Sequence, residues 1–270
     1  MSAIWEVVPE VKTLPSLNKP LLIEGLPGIG CVGKITADFL IEECKAIKLY
    51  SFFSHKFPHS VFVNEQNLVD SPKIELYYKK FPPQSKKRDL LILAGDIQPI
   101  DEEGCYTFCE EVIKIAKRFD CPHIVALGGI GLHSAPQHPK VYCTSNTSSL
   151  LKEYTSKSLG VEKTIYGAVG PIIGVSGVLL GLGVRRGINT VALLAETNVD
   201  PLYMGVTGAR ELIRLINLKY KYNLNLAKLT KDVIELEKEN LNRTQEWTAE
   251  MHSNSMPGTQ GREDDSRYIG

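Results

Sequence analysis

The chain has 270 residues, 43% of them hydrophobic and 23% charged, and its 31 basic and 31 acidic residues give a formal net charge of zero. This length accommodates one large α/β domain or two small ones, with a substantial core in either case. The charge balance argues against a protein whose main activity is to grip nucleic acid, because such proteins usually carry a basic surplus. No nucleic-acid partner is therefore predicted.

The N-terminus and the cysteines both indicate a cytoplasmic protein. Residues 1–6 show neither a basic n-region nor an apolar h-region, so no secretory signal is predicted. Six scattered cysteines are typical of a reducing compartment with free thiols. Cys105 and Cys109 are four residues apart, but two thiols without a second pair do not make a zinc site. We predict no metal and interpret the cysteines as small apolar residues.

Short apolar runs rich in branched residues alternate with helical patterns, as parallel strands joined by crossover helices require. The predicted strands are residues 20–24, 47–53, 89–94, 123–127 and 190–195. The predicted helices are residues 31–43, 102–118, 146–154, 171–184 and 201–217. Between the second and third strands, residues 60–63 and 73–80 predict an antiparallel hairpin. The pattern predicts a three-layer α/β/α sandwich with a mixed, mostly parallel sheet.

A basic cluster interrupts this pattern before the third strand. It consists of Lys79, Lys80, Lys86, Lys87 and Arg88. The cluster brackets Phe-Pro-Pro at residues 81–83, which favours a solvated loop between two strands over a nucleic-acid site.

One uncharged stretch, residues 165–184, is about as long as a membrane span. Gly170 and Pro171 interrupt it and leave a segment with the length of a buried core helix. Small residues such as Gly174 and Gly177 let a sheet approach that helix closely. We therefore predict a core helix and no membrane partner.

The C-terminal part differs in character from residues 1–225, which we predict to form the α/β domain. A narrow apolar stripe at spacings of three, four and three is formed by Leu226, Leu229, Val233 and Leu236. It predicts an amphipathic helix over residues 226–247, which either docks on the body or pairs with a partner. Residues 248–270 have almost nothing to bury, so we predict a disordered tail.

A glycine-rich segment, residues 25–34, follows a predicted strand and opens a predicted helix. Gly28, Gly30 and Gly33 match the G-x-G-x-x-G fingerprint of dinucleotide-binding folds. That fingerprint also requires an acidic residue at the end of the second strand, and residues 47–53 end without one. No dinucleotide cofactor is predicted.

The same segment nearly matches a P-loop. Gly28, Gly33 and Lys34 fit, but Ile35 stands where a Ser or Thr would bind magnesium. Thr36 is one place late, and one place turns a helical side chain by about 100°. The structural interpretation is that the glycines let the chain turn sharply and let the helix sit close to the sheet. The helix N-terminus can still attract an anion.

Residues 174–178 come within one residue of the nucleophile elbow G-x-S-x-G, because Val178 replaces the second glycine. The segment lies inside a predicted helix, and the histidines of the chain do not complete a triad around Ser176. A hydrolase stays an alternative. Acidic residues at strand ends, where α/β active sites form, equally suit helix caps and loop ion pairs. They are Asp96, Glu196 and Asp200.

Three blocks carry a resemblance that no single motif carries. Their residues are Gly25, Pro27, Gly28, Gly30 and Gly33, then Gly128 and Gly129, then Gly170, Gly174 and Gly177, followed by Glu196 and Thr197. In this order and at these distances the chain resembles the proteasome assembly chaperone family in its archaeal form, over about residues 15–220. We expect these residues to have a structural role.

The resemblance implies an α/β/α body, self-association into a homo-oligomer, and binding to proteasome α subunits or the core particle. We expect a non-enzymatic protein without a cofactor, because the strand-end crevice is predicted to lack the carboxylates and hydroxyls that catalysis needs. Archaeal members are also labelled ATP-grasp enzymes. The alternative is therefore an enzyme that binds a nucleotide or another phosphorylated ligand at the glycine-rich turn, or a hydrolase.

Some members of the family dock through a C-terminal ending of a hydrophobic residue, Tyr and any residue. Here the ending is Tyr268, Ile269 and Gly270, with Ile269 in place of the tyrosine. A flexible tail can bring an apolar anchor and a terminal carboxylate to a pocket, at the cost of ordering entropy. These three residues are the predicted partner-binding residues, and an unselected mobile terminus is the alternative.

Overall fold

The structure is a computed structural model that describes residues 4–64, 66–162, 164–165 and 170–226. Its strands are β1 (Glu6–Pro9), β2 (Leu21–Gly25), β3 (Ile47–Phe53), β4 (Phe62–Val63), β5 (Val69–Asp70), β6 (Ile74–Lys79), β7 (Leu90–Gly95), β8 (His123–Leu132), β9 (Val141–Ser145) and β10 (Asn189–Asn198). Its helices are α1 (Val32–Cys44), α2 (Glu102–Arg118), α3 (Ser148–Tyr154), α4 (Val175–Arg186) and α5 (Val206–Tyr220).

The large sheet has the strand order β1-β3-β6-β7-β2-β8-β10-β9, and β4 and β5 pair separately. The four strands β7, β2, β8 and β10 are parallel neighbours, whereas the flanking pairs are antiparallel. Helices α1, α3 and α5 pack on one face, and α2 and α4 pack on the other. The predicted α/β/α sandwich with a mixed sheet is confirmed.

Strand β2 shows why the centre of the sheet is stable. Every residue of its sequence, Leu-Leu-Ile-Glu-Gly, is buried. Leu21 and Ile23 belong to the core beneath α1 and α5, while Leu22 belongs to the core beneath α2 and α4. Such a continuous apolar run is typical of a parallel strand covered on both faces.

The predicted hairpin between residues 60–63 and 73–80 is wrong. Strand β4 pairs with β5, and β6 pairs with β3 on one side and β7 on the other. The Asn64 side chain accepts hydrogen bonds from the amides of Gln66 and Leu68 and so closes a short turn inside the excursion. Strand β6 buries Ile74 and Leu76 in the core beneath α2, and it gains two hydrogen-bonded neighbours by joining the large sheet.

Several predicted boundaries shift. The helix predicted from residue 171 begins at Val175, because Gly174 has a left-handed φ of 82° and precedes it as the cap. The helix predicted from residue 201 begins at Val206, since Asp200 accepts a hydrogen bond from the Leu202 amide in a turn. Strands β8 and β10 extend past their predicted ends, and β1, β5 and β9 were not predicted.

The predicted C-terminal helix and tail, with Tyr268, Ile269 and Gly270, lie outside the described residues apart from Leu226. The domain division at residue 225 stays a prediction. Among the residues that the structure describes, no helix is long and apolar enough to cross a membrane. All six thiols are free, and five of them are buried.

Candidate functional site

A cleft of about 610 Å³ opens at the carboxyl ends of the central strands, where parallel α/β sheets usually bind ligands. The loop after β2, the loop after β7, the end of β8 and the segment before α4 line it. Five of the predicted glycines border it directly, namely Gly28, Gly128, Gly129, Gly170 and Gly174. The three sequence blocks therefore meet at one edge of the sheet, although they are far apart in the chain.

The glycine-rich turn packs tightly against the sheet. A Cβ atom on Gly25 would lie 2.3 Å from the carbonyl oxygen of Gly33, and one on Gly33 would lie 2.5 Å from that of Leu127. Both distances are shorter than real Cβ atoms tolerate, so α1 approaches β2 and β8 with no side chain between them. Gly28 is different, because nothing lies within 4 Å of its Cβ position.

Thr197 of β10 packs closely against the glycine-rich turn. It is buried, and a Cβ atom on Gly30, whose φ is 59°, would lie 2.5 Å from its hydroxyl oxygen. The Gly30 carbonyl accepts a hydrogen bond of 2.7 Å from the Gly205 amide. Gly30 therefore contacts the connection between β10 and α5. Its carbonyl oxygen is already hydrogen-bonded to the Gly205 amide of that connection.

Glu196 lies outside the cleft lining. Its carboxylate accepts hydrogen bonds from the Lys140 amide at 2.9 Å and from the Tyr142 hydroxyl at 3.1 Å. It thus ties β10 to β9 and to the loop before it. This geometry is that of a structural acceptor at the sheet edge.

Gln98, which was not singled out from the sequence, joins two walls of the cleft. Its amide nitrogen donates to the carbonyl of Pro27, and its oxygen accepts from the Val175 amide at 3.0 Å. The same side chain packs against Gly174, where a Cβ atom would lie 2.5 Å from the Gln98 oxygen. Gly177 packs against the backbone of Ile172 in the same segment.

Glu24 is a carboxylate at the base of the cleft, and it is fully buried. It accepts hydrogen bonds from the Leu26 amide at 3.0 Å and from the Ser176 hydroxyl at 2.8 Å. Burial raises the pKa of Glu24 to about 7, and the hydrogen bonds from Ser176 and Leu26 oppose this rise. Cys105 and Cys109 of α2 are close enough to interact with it electrostatically.

The expectation that the crevice lacks hydroxyls is therefore wrong, because Ser176 lines it, whereas no carboxylate is among the described residues that line the cleft. The position of Glu24 could have been recognised from the sequence. It is an acidic residue inside an apolar run that predicts a central strand, where its side chain cannot reach solvent. Ser176 lines the cleft, and Glu24 lies beneath it.

Lys34, the lysine of the near P-loop match, is not among the cleft residues. Its ammonium group lies 3.0 Å from the Asp38 carboxylate and 3.4 Å from that of Asp96, in a separate surface depression beside α1. One strand-end acid, Asp96, is thus an ion-pair partner. No group of three or more His, Cys, Asp or Glu side chains that could hold a metal occurs within the described ranges.

The three convergent blocks are the features by which the chain can be compared with known proteins. The model of the PAC2 family matches residues 22–243, which is most of the chain. The protein belongs to the PAC2 family. The predicted resemblance to the proteasome assembly chaperones is confirmed, since solved structures of archaeal homologues of such chaperones share the fold.

Two solved structures of proteins from Pyrococcus furiosus are similar to this chain along nearly their whole length. PbaB, described as an archaeal proteasome activator, is 29% identical with a TM-score of 0.79, over 90% of this chain and 99% of that chain. PbaA, described as an archaeal homolog of proteasome-assembly chaperone, is 25% identical with a TM-score of 0.70, over 93% and 95% of the two chains. The Methanocaldococcus jannaschii protein MJ1210 is 27% identical over 266 residues, which cover 97% of this chain and 96% of that protein.

Proposed function

We propose that the protein is a non-enzymatic, cytoplasmic chaperone-like protein that binds proteasome α subunits or the assembled core particle. The observation that carries the proposal is the similarity to PbaB, an archaeal proteasome activator, over 99% of that chain. Membership of the PAC2 family supports the same role. Fold alone does not fix function, so the proposal needs a contact surface and a binding test.

Apolar side chains at the rim of the cleft provide that surface. Ile173 is 83% exposed, and Ile29 beside it is also exposed. Val199 and Ile29 flank Gly131, where a Cβ atom would lie within 3.3 Å of both side chains. Exposed apolar patches are among the features that mark protein–protein contacts. We assign the contact with the α subunit to this rim, formed by Ile29, Ile173 and Val199.

The C-terminal residues Tyr268, Ile269 and Gly270 supply the second contact in this proposal. A tethered ending binds at an effective concentration set by its linker, so it strengthens the first contact without enlarging it. We also propose that the protein forms a homo-oligomer. Sedimentation velocity checks this, and a monomer at micromolar concentration would remove self-association from the proposal.

A pull-down against proteasome α subunits tests the main proposal. The variant Ile173→Asp/Val199→Asp should bind about tenfold more weakly than the natural chain, because two apolar anchors are lost. Val63→Asp/Val69→Asp is the matched control, since both valines are exposed, at 68% and 69%, on the separate β4–β5 pair. A chain ending at residue 247 reports the contribution of the tail. If neither the full chain nor the shortened one is retained, the proposed function is wrong.

A second candidate function, ester or amide hydrolysis, is favoured by one observation: the Ser176 hydroxyl donates to Glu24, whose raised pKa suits a general base. Incubation with p-nitrophenyl acetate, with Ser176→Ala as the control, tests it. Turnover lost in that variant would support hydrolysis, and equal rates would exclude it. Calorimetry with ATP, NAD and inorganic phosphate tests the phosphorylated-ligand alternative, which the ion pairs of Lys34 disfavour.

A further inference from the structure

The loop between β6 and β7 forms a basic surface at the amino edge of the central strands. We define this basic loop surface by Lys79, Lys80, Lys86, Lys87 and Arg88. All five side chains are partly or fully exposed, and none has a carboxylate within ion-pairing distance among the described residues. The ammonium groups of Lys79 and Lys87 lie 5.9 and 5.5 Å from the centre of the Phe81 ring. Within the part of the chain that the structure describes, the loop therefore presents several cations that form no ion pair, although Arg88 is near enough to Glu153 to lower the pKa of that carboxyl.

The chain passes directly beside this surface after α5. Tyr222 stacks on Phe81 with ring centres 5.3 Å apart, and its carbonyl accepts a hydrogen bond of 2.9 Å from Lys87. Leu224 is buried, and Leu226 packs against the core. Residues 222–226 are thus fixed next to the basic loop surface, and the following segment starts there.

The sequence of that following segment is complementary in charge. Residues 232–250 carry six acidic and two basic side chains. Asp232, Glu235 and Glu239 recur at spacings of three and four, so a helix would place these three carboxylates on one face, the acidic face. The other charged residues of the segment are Glu237, Glu246, Glu250, Lys238 and Arg243. The apolar stripe of Leu229, Val233 and Leu236 would lie beside the acidic face. In a helix the six positions from Leu226 to Asp232 advance about 9 Å, so the acidic face begins close to the loop.

We propose that residues 232–250 dock on the basic loop surface of the same chain through this acidic face. The attraction between opposite charges orients the segment on the loop. The apolar stripe buries hydrophobic surface beside Leu226. The inference goes beyond proteasome binding and does not depend on it. If residues 232–250 dock there, the rest of the C-terminal segment starts from the amino edge of the sheet, which is the edge opposite the cleft.

Hydrogen exchange of the full-length protein, followed by mass spectrometry, tests the docking. The reversal Lys80→Glu/Lys86→Glu/Arg88→Glu should speed exchange in residues 232–250 about tenfold, because three ion pairs of modest strength are lost. The control Lys12→Glu/Lys73→Glu/Arg210→Glu has the same change in net charge on exposed residues elsewhere and should have no such effect. Adding Asp232→Lys/Glu235→Lys/Glu239→Lys to the loop reversal should restore slow exchange.

Equal exchange of residues 232–250 in the natural chain and in the loop reversal would overturn the proposal. Protection that disappears on dilution would also overturn it, since the occupant would then be a second copy. Exchange in β2 and β7 must stay unchanged, which shows that the variants are folded. Should the reversal not fold, raising salt from about 0.05 to 0.5 M with the natural chain decides the question, because screening must speed exchange in this segment if the contact is electrostatic.

Discussion

At the scale of single residues, the buried carboxyl of Glu24 makes stability depend on pH. Its pKa is raised from 4.5 to about 7 in the folded protein, so folding favours the protonated form. The associated stability is fully present below pH 4.5 and is lost as the pH rises to about 7, on the order of 3 kcal/mol in total. The glutamine in Glu24→Gln cannot ionise. We therefore expect the free energy of unfolding of this variant, relative to that of the natural chain, to rise by that amount between pH 4.5 and pH 8.

Urea denaturation at both pH values measures this difference. The two chains must be compared at each pH, because His123 also makes the stability of the protein depend on pH. Burial lowers the pKa of His123 from 6.5 to about 4, so its contribution to the free energy of unfolding is lost as the pH falls. The two effects oppose each other in the natural protein and cancel partly. A constant difference between Glu24→Gln and the natural chain across this range would show that the folded carboxyl titrates normally.

A second residue-scale prediction concerns the close approach of α1 to β2. Gly25→Ala would place its methyl group 2.3 Å from the Gly33 carbonyl and 2.7 Å from the Ala37 side chain, so the helix must move. We expect a loss of about 2 kcal/mol in the free energy of unfolding. Gly181→Ala is the control, since its Cβ position on α4 is open and alanine favours a helix by about 1 kcal/mol. Equal effects of the two changes would contradict the packing argument.

The sequence predicts these glycines but not the contacts that make each one necessary. Gly28, Gly30 and Gly33 spell one motif, yet Gly33 meets a β8 carbonyl, Gly30 meets Thr197 and Gly28 faces the open cleft. Spacing along the chain cannot separate these roles, because each depends on a different neighbour from a distant part of the sequence. Lys34 shows the same limit in part, since one of its ion-pair partners, Asp96, comes from a distant part of the sequence.

At the scale of elements, a buried polar cluster joins α3 and α5 to the start of β8. The Tyr154 hydroxyl is hydrogen-bonded to His123 at 2.9 Å and to the Tyr220 hydroxyl. Tyr154→Phe removes both bonds inside the core, and we expect unfolding to become easier by about 1–2 kcal/mol. Tyr106→Phe, at an exposed position on α2, should change stability by less than about 0.5 kcal/mol. Thermal denaturation of both variants checks this, and equal midpoints would refute it.

Elements with a strong pattern were predictable, and short or exposed ones were not. The bounds of α2 match the prediction because Asp101 caps its start by accepting from the Gly104 amide, and basic residues end it. Strand β1 is mostly exposed at the sheet edge, so it carries no apolar alternation to detect. The pairing partner of β6 depended on tertiary contacts, which is why the sequence favoured the nearer strand.

At the scale of the whole molecule, the cleft exists because the parallel strands end at one edge. The loops after β2 and β7, the end of β8 and the segment before α4 can meet only there, since crossover helices return the chain to the opposite edge. The sequence predicted the layers and the three blocks, because periodicity and glycine spacing are local. The Glu24–Ser176 pair joins residues 152 positions apart, and no local pattern contains that distance.

The same architecture predicts an uneven distribution of local stability. Strand β2 is buried at every residue and bonded to β7 and β8, so its amides should exchange only through global unfolding. The β4–β5 pair stands apart from the large sheet with exposed side chains, and its amides should exchange through local opening. Hydrogen exchange read by NMR distinguishes the two. Gly25→Ala should accelerate exchange in β2 by the factor that its loss of stability dictates, while exchange in β4 and β5 stays constant; equal acceleration in both would mean that the pair opens with the whole molecule.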